Sequence, residues 1–321
     1  MNAFLTFLFG ILEVVNSGAH RIIGVSGVPV DVAALGDDCW VVSCVDPPGV
    51  YLVYRDDWSL VEYTESFLEP QGIVVVSGIP VICDRRADIL LVGLPGETRE
   101  IPMPGGPFAA VETDWNGDGT PSLAVALRDA GMVVLVDETE VRPLVELPGA
   151  RGLCAVDVDL DGREDLLVAC CGTGLHLVGN TGGHPAPSRI GILNHGIKSV
   201  VPVDMDEDGF PDAVGIACSE GGVRWWRNPG LTGGEWERFD IDPGMEGPKG
   251  LTVGSGGILV AALFSPSGLY RRGEHLPLPR GCVSCAFDEN GGFALGHRLG
   301  FLLEFKADPA PEGSSPPSRL R

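Results

Sequence analysis

Asp157-Val-Asp159-Leu-Asp161-Gly162-Arg-Glu-Asp165, followed by Leu166-Leu-Val-Ala169, decides how the chain is read. Carboxylates stand at positions 1, 3, 5 and 9 of a short loop. A glycine stands at position 6, and an apolar run follows at once. Two other stretches align with it without gaps. Asp114-Trp-Asn116-Gly-Asp118-Gly119-Thr120-Pro-Ser122 begins 43 residues earlier, and Asp204-Met-Asp206-Glu-Asp208-Gly209-Phe210-Pro-Asp212 begins 47 residues later. A repeat in that range, with several short strands in each unit, indicates propeller blades.

Each unit has the same internal order. An apolar strand such as Leu153–Val156 enters the loop, a second strand leaves it at Leu166–Cys170, and Gly174–Val178 and Arg189–Leu193 make a third and a fourth. Worn copies surround the three clear ones. They begin at Val30, Gly72, Gly250 and Gly281, so the sequence holds seven first strands. The last unit has a second strand and a third, Gly300–Phe305, but no fourth. Near the N-terminus, Gly10–Val15 and Arg21–Val25 read as strands without a first. The expectation is an all-β propeller of seven four-stranded blades, with eight as the alternative. An N-terminal strand would close the ring and remove its open edge. Residues 1–306 read as one domain, and the Pro- and Ser-rich tail 307–321 reads as disordered.

Composition agrees with this order. Among 321 residues there are 46 Gly and 26 Pro, and short apolar runs separated by turn residues dominate. The formal net charge is −22, and only Lys198, Lys249 and Lys306 are lysines. Such a surface repels phosphate backbones, so nucleic-acid binding is not expected. The apolar N-terminus is interrupted by Glu13 and has no basic start. It fits a strand better than a signal peptide or a membrane span. With no N-x-[ST] sequon, this points to the cytoplasm rather than to secretion.

Nine cysteines include one CxxC, Cys282 and Cys285, without a partner pair. No histidine stands at zinc-ligand spacing. Cys44, Cys83, Cys170, Cys171 and Cys218 recur at one strand end, which suits small buried side chains; a Cys154–Cys170 disulfide is an open alternative. No nucleophile, base or phosphate-loop motif is present. His176 reads as a strand histidine. Trp225, Trp226 and Trp236 read as packing between blades, Trp115 as pointing outward, and Arg85-Arg86 and Arg271-Arg272 as solvated turns.

The loop spacing has a chemical reason. Carboxylates at 1, 3, 5 and 9 and a carbonyl at 7 can surround one hard cation, and calcium accepts about 6–8 oxygens in flexible geometry. The expected ligands are Asp157, Asp159, Asp161, Asp165 and the Arg163 carbonyl; Asp204, Asp206, Asp208, Asp212 and the Phe210 carbonyl; and Asp114, Asn116, Asp118 and the Thr120 carbonyl, with Ser122 in the ninth place. The Ser122 loop should bind most weakly. Three calcium ions would take the charge from −22 to −16.

The loops and the Leu-Leu-Val-Ala run after them resemble the FG-GAP/VCBS-type repeat, found in integrin α-subunit propellers and in many microbial propellers. Trp225-Trp226-Arg-Asn228-Pro-Gly and Trp236 resemble the microbial form. The Phe-Gly and Gly-Ala-Pro signatures of the family are missing. The resemblance implies that the loops lie at blade edges with a structural role, and that the chain is a binding or scaffold module for a protein or glycan partner. An enzyme of the polysaccharide lyase or hydrolase kind with a site in the central channel, and a structural subunit of a larger assembly, are the alternatives.

Overall fold

The computed structural model describes residues 19–183, 185–191, 196–217, 221–255, 257–271 and 274–306. These hold 28 strands in seven four-stranded antiparallel sheets. The sheets are seven blades, so the eight-blade alternative is overturned. Blades 1 to 7 have innermost strands Val28–Leu35, Pro70–Val76, Pro107–Thr113, Ala150–Val156, Ile197–Val203, Pro248–Gly254 and Cys282–Phe287. In each of blades 1 to 6, four consecutive strands run from the centre of the ring to its rim.

Blade 7 closes the ring as the sequence implied. Its outermost strand is Arg21–Gly24, paired antiparallel with Phe301–Phe305, Arg21 opposite Glu304. The expected strand at Gly10–Val15, the tail 307–321, His184, His195 and Cys218 lie outside the described residues.

The strands are apolar for a simple reason: the second and third of each blade are covered on both faces. Leu166, Leu167, Val168, Ala169 and Cys170 are all fully buried, as expected of runs without alternation. Seven packed clusters lie between adjacent blades. One joins Leu167, Ala169 and Leu175 of blade 4 to Ile197, Ala213 and Trp226 of blade 5. Another joins Trp40 and Val42 of blade 1 to Ala294 and Leu302 of blade 7. Each blade's hydrophobic faces therefore become interior only when its neighbours are present, as in other repeat folds.

The innermost strands share one irregularity. In all seven the register to the second strand slips near the start, as between Ala150 and Gly152 or between Ile197 and Ser199. Bulges of this kind sharpen twist and re-aim side chains. Close packing at the centre restricts which residue can stand directly after the slip. A Cβ on Gly152 would stand 2.8 Å from the Lys198 carbonyl oxygen, and one on Gly250 would stand 2.9 Å from Ser284 Cα. At these two places only glycine fits, whereas the other blades carry Asp31, Ile73, Ala109, Ser199 and Ser284 directly after the slip.

Antiparallel order alternates the connections between two faces. Connections from first to second strand and from third to fourth lie on one face, here called the lower. The others lie on the upper face, together with the seven bulges.

Candidate metal centres

All three acidic loops lie on the lower face, in blades 3, 4 and 5. Each begins at the first residue after an innermost strand. Three internal bonds are common to them, while the residue-5 N–H also donates to Oδ1 of position 1 in the first two loops but not in the third. The position-1 carboxylate accepts the N–H of residue 6: Gly119 N to Asp114 Oδ2 is 3.0 Å, Gly162 N to Asp157 Oδ2 is 2.8 Å, and Gly209 N to Asp204 Oδ2 is 3.1 Å. The position-3 side chain accepts from residue 5, at 3.0 Å for Asn116, 3.2 Å for Asp159 and 3.4 Å for Asp206. The position-5 carboxylate accepts from residue 7, at 2.7 Å for Asp118, 2.9 Å for Asp161 and 2.9 Å for Asp208. Successive Asx turns wind the chain around one centre.

The backbone demands more than the glycine at position 6. Position 4 is also left-handed: Gly117 has φ 71°, Leu160 φ 59° and Glu207 φ 63°. Only the first loop has glycine there, and the other two hold a side chain in a region that L-residues avoid.

The wound chain brings carboxylates together. Oxygens of Asp157, Asp159 and Asp165 lie within 4.8 Å of one another, and so do oxygens of Asp204, Asp206 and Asp208. In the third loop Asp204 Oδ1 is buried and has no hydrogen-bond partner. A buried carboxylate oxygen without a donor is costly, and a hard cation is the group that would satisfy it. The donor set therefore fits calcium. The first loop has two carboxylates, Asp114 and Asp118, and its Asn116 Nδ2 donates to Asp118 Oδ2 at 3.0 Å. Asp161 pairs with Arg163 at 2.5 Å and Asp206 with Arg227 at 2.6 Å, each at the solvent edge of its loop.

The ninth position has a second task that the sequence did not reveal. Asp165 accepts the Val158 N–H at 3.1 Å and the Asn180 N–H at 2.7 Å. Asp212 accepts from Met205 at 3.0 Å and from Asn228 at 2.6 Å. Burial raises both carboxyls above the usual range, against the lowering effect of these donors. In the first loop Ser122 instead donates to Asp137, which also pairs with Arg142.

The asparagines held by these aspartates reach back one blade. Asn180 Nδ2 donates to the Trp115 carbonyl at 2.7 Å, and Asn228 Nδ2 donates to the Val158 carbonyl at 2.8 Å. Each accepting residue is position 2 of the preceding loop. Asp114 N–H also donates to Glu164 Oε2 at 3.0 Å. The loops of blades 3, 4 and 5 are thus one hydrogen-bonded series.

Asp288 of blade 7 occupies the position-1 place of a worn loop. Its carboxylate accepts from Asn290 and Gly292 and pairs with Arg55 Nη2 of blade 1 at 3.0 Å. In this worn loop the position-1 carboxylate thus meets a guanidinium of the neighbouring blade.

Several sequence expectations need correction. Trp115 does not point outward: it is half-buried against the cluster between blades 3 and 4. Cys154 pairs in register with Leu167 and Cys170 with Ala150, so no disulfide joins them, and the eight described cysteines are all free. Burial pushes the Cys154 thiol up to about 12 and the Cys170 thiol to about 11, which leaves them inert. Arg85 is not a solvated turn residue; it bridges Glu69 at 2.8 Å and Asp129 at 3.0 Å. His176 is a strand residue bonded to Thr173 Oγ1 at 3.2 Å, and burial lowers its pKa. Trp226 does pack between blades, and Trp225 stacks on Phe239 at 4.5 Å.

Comparison with known proteins agrees with this geometry. Residues 157–215, from the second loop into the second strand of blade 5, match the FG-GAP-like repeat family. No curated protein matches the sequence. Among solved structures, the WD40 β-propeller domain of Doa1 superposes with a TM-score of 0.71 at 14% identity, covering 91% of this chain and 97% of that one. A streptogramin B lyase structure gives 0.67 at 14% identity, over 89% and 95%. The β-propeller domain of Myceliophteria thermophila Cps50 (Swd1) gives 0.66 at 12%, over 90% and 100%. At these identities the likeness is one of fold.

Proposed function

We propose that this propeller is a calcium-stabilised scaffold that presents a ring face to a protein or glycan partner. The buried, unpartnered Asp204 Oδ1 beside Asp206 and Asp208 carries the calcium half of this reading. Up to three ions would bind, held by the carboxylates of Asp157, Asp159 and Asp165 and of Asp204, Asp206 and Asp208, and most weakly by Asp114 and Asp118 with Asn116. Asp161 and the carbonyls of Arg163, Phe210 and Thr120 complete the sets. Each ion would cancel repulsion among clustered carboxylates, and in blades 3 and 4 it would hold a loop that an asparagine of the next blade grips. The role is structural, because the loops join the first and second strands of their blades and are bonded into the fold.

Exposed apolar side chains support the partner half. Leu160 is 53% exposed and Leu231 81% exposed, and both stand on the lower face beside the loops. Large apolar residues on a face that calcium would order suit a protein partner. The test has two parts. Equilibrium dialysis of metal-free protein against calcium should show two tight sites and a weaker third, and no binding would refute the calcium half. Protein and glycan partners retained by the wild-type protein with calcium should be lost with Leu160→Asp plus Leu231→Asp. Retention by that variant would refute the lower face as the docking face.

A further inference from the structure

The seven bulges near the upper ends of the innermost strands surround a cavity of about 330 Å³ at the centre of the ring. Each blade contributes the residue released from pairing at its own bulge. In blades 4, 5 and 6 these are Arg151, Lys198 and Lys249. In blades 7, 1, 2 and 3 they are Val283, Val30, Gln71 with Gly72, and Phe108. The wall is therefore cationic on one arc and neutral to apolar on the other.

That distribution is not what composition would give. The chain has 44 acidic residues against 22 basic ones, and two of its three lysines are here. Three cations on adjacent blades repel one another and lose hydration in a confined space. Among the described residues, Asp31 is the one acidic member of the cavity wall. Its oxygens are taken by the Val32 N–H at 3.0 Å and the Ile73 N–H at 2.8 Å. One carboxylate thus faces three cations.

Within the cationic arc, one buried donor has no acceptor. The Arg151 guanidinium carbon sits over the Phe108 ring, 4.4 Å from its centre, with Arg128 also over that ring at 5.6 Å, and Arg151 Nη1 touches Cys171 Sγ at 3.7 Å. Its Nε is buried and has no hydrogen-bond acceptor. Lys198 Nζ donates to the Lys249 carbonyl, which ties the two lysine-bearing strands together at the cavity. A buried guanidinium nitrogen without an acceptor on the upper side is the counterpart of the bare Asp204 oxygen on the lower face.

We propose that the upper channel is a binding site for a small organic anion. Its carboxylate or phosphate group would be held by Arg151, Lys198 and Lys249, and its apolar body would rest against Phe108, Val30 and Val283. The volume suits a molecule of this size. A planar guanidinium stacked on an aromatic ring is a pre-organised anion receptor. The site is separate from the acidic loops and does not rest on their binding calcium.

Calorimetric titration of the full chain tests this, using protein freed of metal on a chelating resin rather than by a soluble polyanionic chelator. The probes are inorganic phosphate, phenyl phosphate and phenylacetate. At least one aromatic anion should bind, and more tightly than inorganic phosphate; which one binds identifies the headgroup. Lys249→Gln should weaken it by about tenfold or more, as expected for loss of a charge-assisted hydrogen bond. Lys249→Arg should restore most of the affinity, and Arg86→Gln, on the exposed outer part of the same face, should leave it unchanged. Arg151→Gln gives a second reading if Lys249→Gln fails to fold, judged by circular dichroism. Absence of binding by both aromatic probes at millimolar concentration overturns the proposal. So does binding that the folded Lys249 or Arg151 variants leave intact. Because metal-free protein is used, a failure of the calcium reading shows in dialysis and a failure of the anion site shows here.

Discussion

Asn228 of blade 5 donates its side-chain amide to the Val158 carbonyl in the loop of blade 4, 2.8 Å away, while Asp212 fixes its own backbone N–H at 2.6 Å. Asn228 Nδ2 also donates to the Pro211 carbonyl at 2.9 Å, and Asn228 Oδ1 accepts from Gly230 at 3.0 Å. A single side chain therefore joins two blades and shapes the connection after the third strand. Asn228→Ala removes these bonds and leaves two carbonyls unsatisfied in a buried place. The expected loss is about 2–3 kcal/mol, read as a lower denaturation midpoint with an unchanged slope. Asn228→Leu, similar in volume, should lose as much; if it matches wild type, packing rather than hydrogen bonding is what Asn228 supplies.

Calcium should raise the melting temperature of metal-free protein. A site that binds only the folded state contributes about 2.7 kcal/mol when the ion is at 100 times its dissociation constant. Asp208→Ala removes one of the three clustered carboxylates of the third loop and should reduce that rise. Asp118→Ala, in the loop with two carboxylates, should reduce it less. A melt that ignores calcium in wild type would show that the loops are held by their Asx turns alone.

Leu160 tests the backbone of the second loop. Its φ of 59° is held by a leucine that is 53% exposed, so the side chain contributes little packing in return. Glycine stands at the matching place in the first loop. Leu160→Gly should relieve about 1 kcal/mol of left-handed strain and give back a similar amount through the freer unfolded chain. The net change in stability should be within ~0.5 kcal/mol of zero, where glycine in a regular strand would destabilise clearly. A loss well beyond that would mean that Leu160 packs on something important to folding.

The blade count and the loops are legible in the sequence because they are local. Nine residues with fixed spacing reappear at 43 and 47 residues, and Arg21–Gly24 has no partner except the strand-poor last blade. The features that sequence does not disclose depend on ring closure. Asn180 and Asn228 look like ordinary turn residues until the preceding blade's loop is placed beside them. Arg151, Lys198 and Lys249 lie in three separate apolar strands, and only the shared bulge turns all three to the centre. The scarcity of lysine is the one available signal. Trp115 reads as outward-pointing when one blade is taken alone, because loop position 2 faces the neighbouring blade.

Arg55 should be the main fastener of the closed ring. It lies 233 residues from Asp288 and 249 from Glu304 in sequence, and it pairs with them at 3.0 Å and 2.6 Å. Trp40 Nε1 donates to the same Glu304 oxygen at 3.2 Å, and the guanidinium covers the Trp40 ring. Arg55→Met would leave the buried carboxylates of Glu304 and Asp288 without a cation, at an expected cost of ~3 kcal/mol or more. Adding Glu304→Gln should recover part of it. Independent, additive losses from the two changes would show that the pair does not couple blade 1 to blade 7.

Asp31 gives the channel a pH dependence of definite sign. Burial pushes its carboxyl up to about 6, against the lowering by the Ile73 and Val32 N–H groups and by Lys198. The folded value lies above the ordinary carboxylate value near 4. The folded state therefore holds this proton more tightly than the unfolded chain. The stability it contributes is complete below about pH 4 and is lost as the pH rises through about 6. Asp31→Asn removes that dependence while keeping one oxygen to accept a backbone N–H. Chemical denaturation at several pH values between about 4.5 and 7.5 should show the difference in stability, wild type minus variant, falling as pH rises and levelling near about 7. A difference that stays constant over this range would mean that Asp31 titrates as a solvated carboxylate. It would then count as a full negative charge on the channel wall even in mildly acidic solution, and the three cations opposite it would be more nearly balanced.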